Sequence, residues 1–337
     1  MKKKYNIDML IRRLTYFDSR KIKRLVSYLG AEEGDKFAKS LFEEPFGFYN
    51  ALLPLKFKFK SESFVLIEKS EVLGLITVCT TAGNPYKINI TRLIFKDNLY
   101  DVGKQLVDFV VHKFGARGAI SFSVIIDDCH DELFDLFING CGFRLCSSET
   151  LWKIEKPVMQ KDDFKWRYAQ NSDSKSIAEL YNSELLNIYK PSLLRYSKEF
   201  QESFFSGFND YYKTRYVIEE NKNLLAYFSV TTRDNLNYIL DITLNSGYEI
   251  EYERIINLML CEIGRKKRTF YPLIKQKKYT KNSEAFENYL KAKNYTPIQT
   301  QQILVKDYYR PIAQESSGWN VFLLGENQVS DNFDKTY

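Results

Sequence analysis

The spacing of hydrophobic residues changes along this chain of 337 residues, and the changes predict alternating strands and helices. A short apolar run at residues 93–95 is followed by the turn signal Asp97-Asn98. Apolar residues then recur at helical spacing, at Val102, Leu106, Phe109 and Val110. We therefore predict a buried strand, a tight connection and a helix. A helix start at a strand end exposes amide N–H groups, which is the geometry of an anion site, and Gly103 would let a ligand approach the backbone.

The same order of elements occurs twice along the chain. Two short strands with a turn are predicted at residues 64–78 and again at 216–230, with Gly74 matched by Ala226. The first strand and helix of each half also match at a shift of 155 residues: Arg12, Asp18, Ile22 and Leu25 recur as Arg167, Asp173, Ile177 and Leu180. Near-constant shifts of this kind indicate an internal repeat, with the order β-α-α-β-β-β-α-β-α-β in each copy.

The repeat predicts two domains and a tail. We place the domains at residues 1–157 and 158–309, with the boundary in the polar stretch around Pro157. The chain length fits two domains, each large enough for its own core. Residues 310–337 are polar and rich in turn formers, and we expect Trp319 and residues 321–324 to dock this tail on the body.

Residues 92–115 and the repeated order resemble the GNAT-type acyl-CoA N-acyltransferases. That family has an Arg/Gln-x-x-Gly-x-Gly/Ala connection, whose amides hold the pyrophosphate of acetyl-CoA. At the matching positions, 98–103, this chain keeps only the last glycine, Gly103, and has Asp101 where the family has glycine. The resemblance implies an α/β (α+β) fold of two tandem GNAT-like domains, each a mixed, mostly antiparallel sheet flanked by helices. It places these residues at the acetyl-CoA co-substrate: Ile94, Phe95, Asn98, Val102, Gly103 and Lys104.

Two interpretations of Asp101 remain open at this point. Its carboxylate repels a pyrophosphate if the connection is the cofactor site. Alternatively, Asp101 is the helix N-cap and fills the anion site with its own side chain. In the second half, Ser246 with Glu249 fits a capping box better than an anion site, and nearby glutamates add repulsion. We therefore expect the first domain to bind CoA.

Candidate catalytic groups are sparse. In the resembled family a Tyr often serves as the acid, but the matching positions here are Ile138 and Leu290. The family's base is often a Glu on the central strand, and the candidate here is Asp241, within an apolar strand. Partial desolvation would raise the pKa of Asp241 and suit a base. The alternative is a structural Asp paired with a neighbouring group.

Composition narrows the remaining chemistry. The two histidines, His112 and His130, leave little material for Ser-His, Cys-His or His-based metal chemistry. Five cysteines without a Cys-x-x-Cys pair indicate reduced thiols in a cytoplasm. The net charge of +6 fits an anionic ligand such as CoA. The basic residues 265–268, with Lys275, Lys277, Lys278 and Lys281, indicate a solvated face, because no RNA-binding signature accompanies them.

The sequence thus favours a cytoplasmic N-acetyltransferase that moves an acetyl group from acetyl-CoA to an amine of a small molecule or peptide. A nucleic acid partner is not expected, because no RNA-binding signature is present. A membrane partner is not expected either, because no apolar run has the length of a membrane span. The alternatives are a non-catalytic GNAT-fold module that binds acyl-CoA or a protein, and a tRNA-dependent aminoacyl transferase. Aromatic-rich segments at residues 42–59 and 200–216 either cover the acceptor end of the cleft or line the core.

Overall fold

The chain forms two compact units in a computed structural model. The structure describes residues 9–27, 61–96, 99–155, 165–202, 212–221, 223–232, 234–248 and 251–308. Unit 1 comprises the described residues up to Val124, together with Glu132–Arg144 and those from Leu304 onward. Unit 2 comprises Ile125–Asp131 and Leu145–Ile303.

Unit 1 is a mostly antiparallel sheet with helices. Its elements are β1 (Met9–Arg13), α1 (Ser19–Leu25), β2 (Ser61–Glu68), β3 (Glu71–Thr81), β4 (Asn84–Phe95), α2 (Lys104–Gly115), β5 (Ser121–Asp127) and α3 (Asp131–Asp135). The strand order is β1-β2-β3-β4-β5, and β4 runs parallel to β5. Val124 is the last residue of β5 in this unit, and Asp131 of α3 lies outside it.

Unit 2 repeats this plan. Its elements are β6 (Arg144–Lys153), β7 (Arg167–Tyr168), α4 (Ser174–Glu184), α5 (Lys190–Leu193), β8 (Tyr212–Glu220), β9 (Asn223–Thr232), β10 (Asn237–Leu244), α6 (Tyr252–Lys266), β11 (Tyr271–Lys277), α7 (Ser283–Ala292) and β12 (Thr296–Asp307). The strand order is β6-β11-β10-β9-β8-β7, and β10 runs parallel to β11. The predicted fold class is confirmed.

The repeated Arg and Asp residues make the same ion pair in both units. Arg12 donates two hydrogen bonds to the carboxylate of Asp18, at 2.7 and 2.8 Å. Arg167 donates two to Asp173, at 2.7 and 3.0 Å. Each carboxylate also accepts a backbone N–H from three residues earlier and so caps the turn that leads into the helix. The pair fixes the angle between first strand and first helix in each copy.

The last strand of each copy lies at least partly in the unit of the other copy, an exchange that the sequence did not predict. Strand β6 precedes the predicted boundary at residue 157, yet it pairs with β11 inside unit 2. The end of β12 belongs to unit 1, where the Tyr308 amide donates to the Ile120 carbonyl at 2.8 Å. The limits 1–157 and 158–309 therefore remain a prediction about the sequence repeat. The predicted tail and residues 42–59 lie outside the described residues, as do residues 203–211 of the second aromatic segment.

Each unit has its own core. In unit 1 it includes Ile22, Val65 and Leu75, and α2 lies so close to β3 that a Cβ on Gly74 would stand 2.9 Å from Leu106. In unit 2 the apolar faces of β9, β10 and α6 meet around Phe228, Leu240 and Met259. No helix within the described ranges is both long and apolar enough to cross a membrane.

Candidate functional sites

The central strand of unit 1 has an irregularity that its counterpart lacks. Along β4, Arg92 faces Thr77 and Ile90 faces Val78, so Thr91 is the extra residue of a β-bulge. The parallel pairing of β4 with β5 covers only Lys87–Ile90, although β4 continues to Phe95. In unit 2, β10 pairs with β9 from Ile239 to Leu244 without a register shift. A bulge where pairing with the parallel neighbour ends leaves backbone groups available to a ligand.

The residues predicted at the cofactor differ in their surroundings. Ile94 is partly buried against the unit 1 core, and Val102 is buried beside Gly74 of β3. Gly103 is buried near Phe95 and Leu136, so a Cβ there would stand 3.0 Å from Leu136. Lys104 is partly exposed and pairs with Asp108 at 2.6 Å. Asn98 lies outside the described residues.

Asp101 does not cap the helix. A single turn of π-helix, Leu99–Gly103, leads into α2, whose N-cap is Gly103 without a side-chain cap. Asp101 lies in this turn with an exposed side chain, and its carboxylate accepts no hydrogen bond within the described residues. The N-cap interpretation is wrong, and the carboxylate does not cover the amides of the connection. Beside it, the Tyr100 hydroxyl donates to Asp135 and ties this turn to the segment that follows β5.

Asp241 is held in a buried ion pair. The Lys277 ammonium donates to Asp241 Oδ1 at 2.7 Å and to the Thr243 hydroxyl at 2.9 Å, and Lys277 is only 4% exposed. Burial alone would raise the pKa of Asp241, but Lys277 and Lys275 outweigh it and lower the pKa to about 2. The direction is opposite to the predicted one. The geometry favours the structural alternative, a paired Asp, because a carboxylate with so low a pKa is a weak base.

A second buried pair lies beside it, and sequence reasoning missed it. Lys275 contacts Glu149 of β6 at 2.8 Å, and the Tyr279 hydroxyl donates to the same carboxylate at 2.5 Å. Burial would raise the pKa of Glu149, but Lys275 holds it below the usual range. The sequence predicted a solvated face for both lysines, but Lys275 is partly buried and Lys277 is buried. Their alternation along β11, with Lys275 opposite Asp241 of β10 and Lys277 bonded to Thr243, is the signal that could have revealed them.

The connection after β10 already holds an anion of its own. Glu184, the last residue of α4, is 3% exposed. Its Oε1 accepts the Ser246 amide at 3.1 Å and the Ser246 hydroxyl at 3.2 Å. The predicted partner of Ser246, Glu249, lies outside the described residues. Two donors that could meet a phosphate in this loop, the amide and hydroxyl of Ser246, are therefore bound by a carboxylate of the chain.

A small cavity lies between β10 and β11. It has a volume of about 30 Å³ and is lined by Glu184, Thr243, Lys277, Tyr252 and other residues of unit 2. That volume is roughly one or two water molecules. The positions of the family's Tyr acid are apolar, as the sequence shows: Leu290 is fully buried and Ile138 is partly buried. In the described part of the chain, no three His, Cys, Asp or Glu side chains are grouped to hold a metal ion.

Comparison with known proteins gives matches in structure only. No protein-family model and no curated protein matches the chain. A tandem GNAT protein from the clavulanic acid biosynthesis pathway is 11% identical with a TM-score of 0.56, over 90% of this chain and 100% of that one. A GCN5-related N-acetyltransferase from Sphaerobacter thermophilus is 9% identical with a TM-score of 0.58, over 91% and 98%. A structure from Pyrococcus horikoshii, described as an acetyltransferase, is 11% identical with a TM-score of 0.51, over 91% and 92%.

Identities this low carry information about the fold and not about substrates. The likeness nevertheless extends over both units, because these three alignments each cover about nine-tenths of the chain. It agrees with the duplicated plan of strands and helices. The chain therefore has the GNAT acyltransferase fold, in tandem.

Proposed function

We propose that the protein is an acyl-CoA-dependent N-acyltransferase, which uses acetyl-CoA and binds it in unit 1. The observation that carries this proposal is the bulge at Thr91, at the point where β4 leaves β5. A bulge residue has a backbone amide outside the ladder, and such an amide can polarise the thioester carbonyl. Unit 2 supports the assignment to unit 1, because its corresponding strand, β10, pairs with β9 without a bulge.

The contents of unit 2 argue against a second cofactor there. A bound pyrophosphate would have to displace Glu184 from Ser246, and the negative charge of Glu184 would repel it. The pantetheine arm would have to displace Lys277 from Asp241 and Thr243. Breaking this ion pair costs about 2 to 3 kcal/mol, the free energy that corresponds to the lowered pKa of Asp241. Under this proposal, unit 2 therefore does not bind CoA.

The chemistry needs little from side chains. The amine nitrogen attacks the thioester carbon, the C–S bond breaks, and the CoA thiolate takes up a proton. Beyond the bulge, β4 carries Arg92, Leu93, Ile94 and Phe95, and therefore no carboxylate that could act as base. The acceptor amine loses its proton to water under this proposal, so turnover rises with pH until the amine is neutral.

The test is release of free CoA from acetyl-CoA over a panel of amines. Thr91→Pro removes the bulge amide, and Pro is tolerated at bulges. Thr91→Val keeps the amide and removes the hydroxyl, which donates to the Thr77 carbonyl at 3.3 Å. We expect Thr91→Pro to lose roughly 100-fold or more in turnover and Thr91→Val to lose little.

Two results would contradict the proposal. One is the absence of CoA release with every amine, together with tight acetyl-CoA binding, which would favour a non-catalytic binding module. The other is full turnover in a folded Thr91→Pro variant.

The proposal also includes a cytoplasmic location. It is supported by the five cysteines, which are all free thiols, as in a reducing cytoplasm.

A further inference from the structure

The positive charge of this protein is concentrated at one end of its sequence. Residues 1–27 carry nine Lys or Arg side chains and two Asp side chains, a net charge of +7. The whole chain has 49 basic and 43 acidic side chains, so the rest of it carries 40 and 41, a net charge of −1. A charge asymmetry of this kind indicates contact with an extended anionic surface, a nucleic acid or a membrane.

The structure places part of this charge on the solvent side of the first helix of unit 1. Arg12 is bound to Asp18, but Arg13, Arg20 and Arg24 are exposed and form no ion pair within the described residues. The opposite side of α1 is buried in the core of this unit. These three cations therefore face solvent and remain available to a partner.

Exposed apolar side chains accompany the cations. Four large hydrophobic side chains in this stretch are 42 to 90% exposed: Met9, Leu10, Tyr16 and Phe17. Phe17, in the turn that leads into α1, is the most exposed large hydrophobic residue that the structure describes. Phe17, Arg20 and Arg24 are spaced as i, i+3 and i+7, so they project from one side of the turn and the helix. We call these three residues and the side that they share the α1 surface.

The second copy of the same element lacks this surface. At the shift of 155 residues, Phe17 corresponds to Ser172 and Arg24 corresponds to Glu179. Glu179 pairs with Lys175 of its own helix at 3.9 Å. The aromatic side chain and the unpaired cation of the first copy are thus a polar residue and a paired anion in the second.

The fold does not explain the difference between the copies. Residues 10–27 carry six basic side chains and one acidic, a net charge of +5, whereas residues 165–182 carry three and two, a net charge of +1. Both copies nevertheless form the same Arg–Asp pair and the same strand and helix. The α1 surface is therefore free to serve a partner.

The shape of the α1 surface favours a membrane over a nucleic acid. Proteins hold single-stranded nucleic acids in grooves, with the bases stacked on aromatic rings. Phe17 projects instead from the convex outer side of a turn and a helix. Anionic phospholipid headgroups attract Lys and Arg, and apolar side chains enter the boundary between headgroups and acyl chains.

We propose that the α1 surface binds an anionic phospholipid bilayer, with Arg20 and Arg24 at the headgroups and Phe17 inserted between them. The sequence prediction of no membrane partner concerned a spanning segment, which binding at a surface does not need. The proposal is independent of the acyl-CoA site proposed for unit 1, because it uses other residues and another ligand.

The test is sedimentation of the full-length protein with large unilamellar vesicles. Vesicles of phosphatidylcholine alone are compared with vesicles that also contain phosphatidylserine. We expect the protein to bind only the vesicles with phosphatidylserine, because their surface is negative. High salt should release it, since the charges of the α1 surface are exposed and therefore screened.

Two variants of the α1 surface and one control locate the contact. Arg20→Glu with Arg24→Glu should weaken binding at least about tenfold, because two attracting charges become repelling ones. Phe17→Ser, which restores the residue type of the second copy, should weaken it at least about threefold, because no ring leaves water. Lys267→Glu with Arg268→Glu changes the net charge equally at exposed residues of unit 2 and should leave binding unchanged.

The proposal is overturned if the protein does not bind phosphatidylserine vesicles, if it binds both kinds of vesicle equally, or if the folded Arg20 and Arg24 double variant binds as wild type does. An equal loss in the control would show a general charge effect and overturn the assignment to α1. Unchanged binding in Phe17→Ser would also overturn the proposal, and that variant decides if the double variant does not fold. Tighter binding to polyuridylate than to vesicles, lost in the same double variant, would overturn the assignment to a membrane.

Discussion

Three aspartates show how the neighbours of a carboxylate decide what it can do. Asp18 is 1% exposed and accepts hydrogen bonds from Arg12 and Thr15, so it serves the fold. Asp241 is neutralised by Lys277. Asp101 is exposed and accepts no hydrogen bond from the described residues, so its charge acts on whatever approaches the start of α2. Sequence alone could locate all three, but it could not give their partners.

Asp241→Asn should destabilise the protein by about 2 to 3 kcal/mol at neutral pH, because Lys277 then remains buried without a counter-charge. The folded-state pKa of Asp241, about 2, lies below its usual value of 3.8. Its contribution to stability is therefore complete above the unfolded pKa and is lost as pH falls through the folded pKa. The difference between wild type and variant should be constant above about pH 5, should shrink as the pH falls and should vanish below about pH 2, as measured by urea unfolding.

The matched control for this prediction is the double variant Asp241→Asn with Lys277→Met. Removing both charges should recover most of the loss, because no unpaired buried charge remains. Equal stability of wild type and Asp241→Asn at neutral pH would show that the ion pair contributes nothing. A turnover defect in folded Asp241→Asn at unchanged stability would return Asp241 to the role of base.

Asp101→Lys should tighten acetyl-CoA binding on the order of tenfold if the connection before α2 meets the pyrophosphate, because a repelling charge becomes an attracting one. The effect should shrink at high salt. Glu251→Lys is the control, since Glu251 is the exposed N-cap of α6, the corresponding helix in unit 2. Calorimetry measures both. An equal gain in Glu251→Lys would show a general charge effect and remove the assignment to unit 1.

At the scale of elements, one residue sets how closely a helix approaches the sheet in unit 1. A Cβ on Gly74 of β3 would stand 2.6 Å from Val102 and 2.9 Å from Leu106 of α2. The matching residue of the second copy, Ala226, is fully buried and already carries a Cβ. The sheet of unit 1 therefore allows its helix to approach more closely than the sheet of unit 2 does.

Gly74→Ala should lower the free energy of unfolding by about 1 to 3 kcal/mol, because the added methyl overfills this contact. Val102→Ala in the same chain should relieve part of the loss, since it removes the atom nearest to the new methyl group. Thermal and urea unfolding measure both. No loss of stability in Gly74→Ala would show that α2 can shift away from β3 at little cost.

The pattern of elements was predictable, whereas their irregularities were not. Alternating apolar residues around turn formers predicted the hairpins, and the turn residue Asn221 indeed has a positive φ of 49°. The bulge at Thr91 and the π-helical turn before α2 leave no mark in the apolar pattern, because each changes the chain by one residue. The buried ion pairs were misread for a related reason: a lysine within a strand looks exposed until its partner strand is known.

At the scale of the whole molecule, the exchanged strands make each unit depend on distant sequence. Both copies end in a strand of similar pattern, so the sequence does not say which copy each strand joins. In unit 1 two side chains at the end of β12 make polar contacts. The Lys306 ammonium donates to the Cys141 carbonyl at 2.5 Å, and the Arg144 guanidinium pairs with the Asp307 carboxylate at 3.0 Å. Tyr308 adds a ring edge to Phe122.

A chain that ends at Ile303 should therefore lose the stability of unit 1, although every deleted residue is at the far end of the sequence. Limited proteolysis should cut such a chain within residues 61–124. A chain that ends at Tyr308 is the control, because it keeps the contacts named above. Fragments 1–157 and 158–337 should fold together when co-expressed and not alone. A cooperative unfolding transition of isolated 1–157 would contradict this account of the exchange.

The central claim is that acyl-CoA binds unit 1 and not unit 2, and hydrogen–deuterium exchange tests it most directly. Full-length protein is labelled with and without saturating acetyl-CoA. The account predicts slower exchange of the amides in residues 91–106, around the bulge and the start of α2, with no change in residues 242–256. Slower exchange in residues 242–256, with no change in residues 91–106, would contradict it.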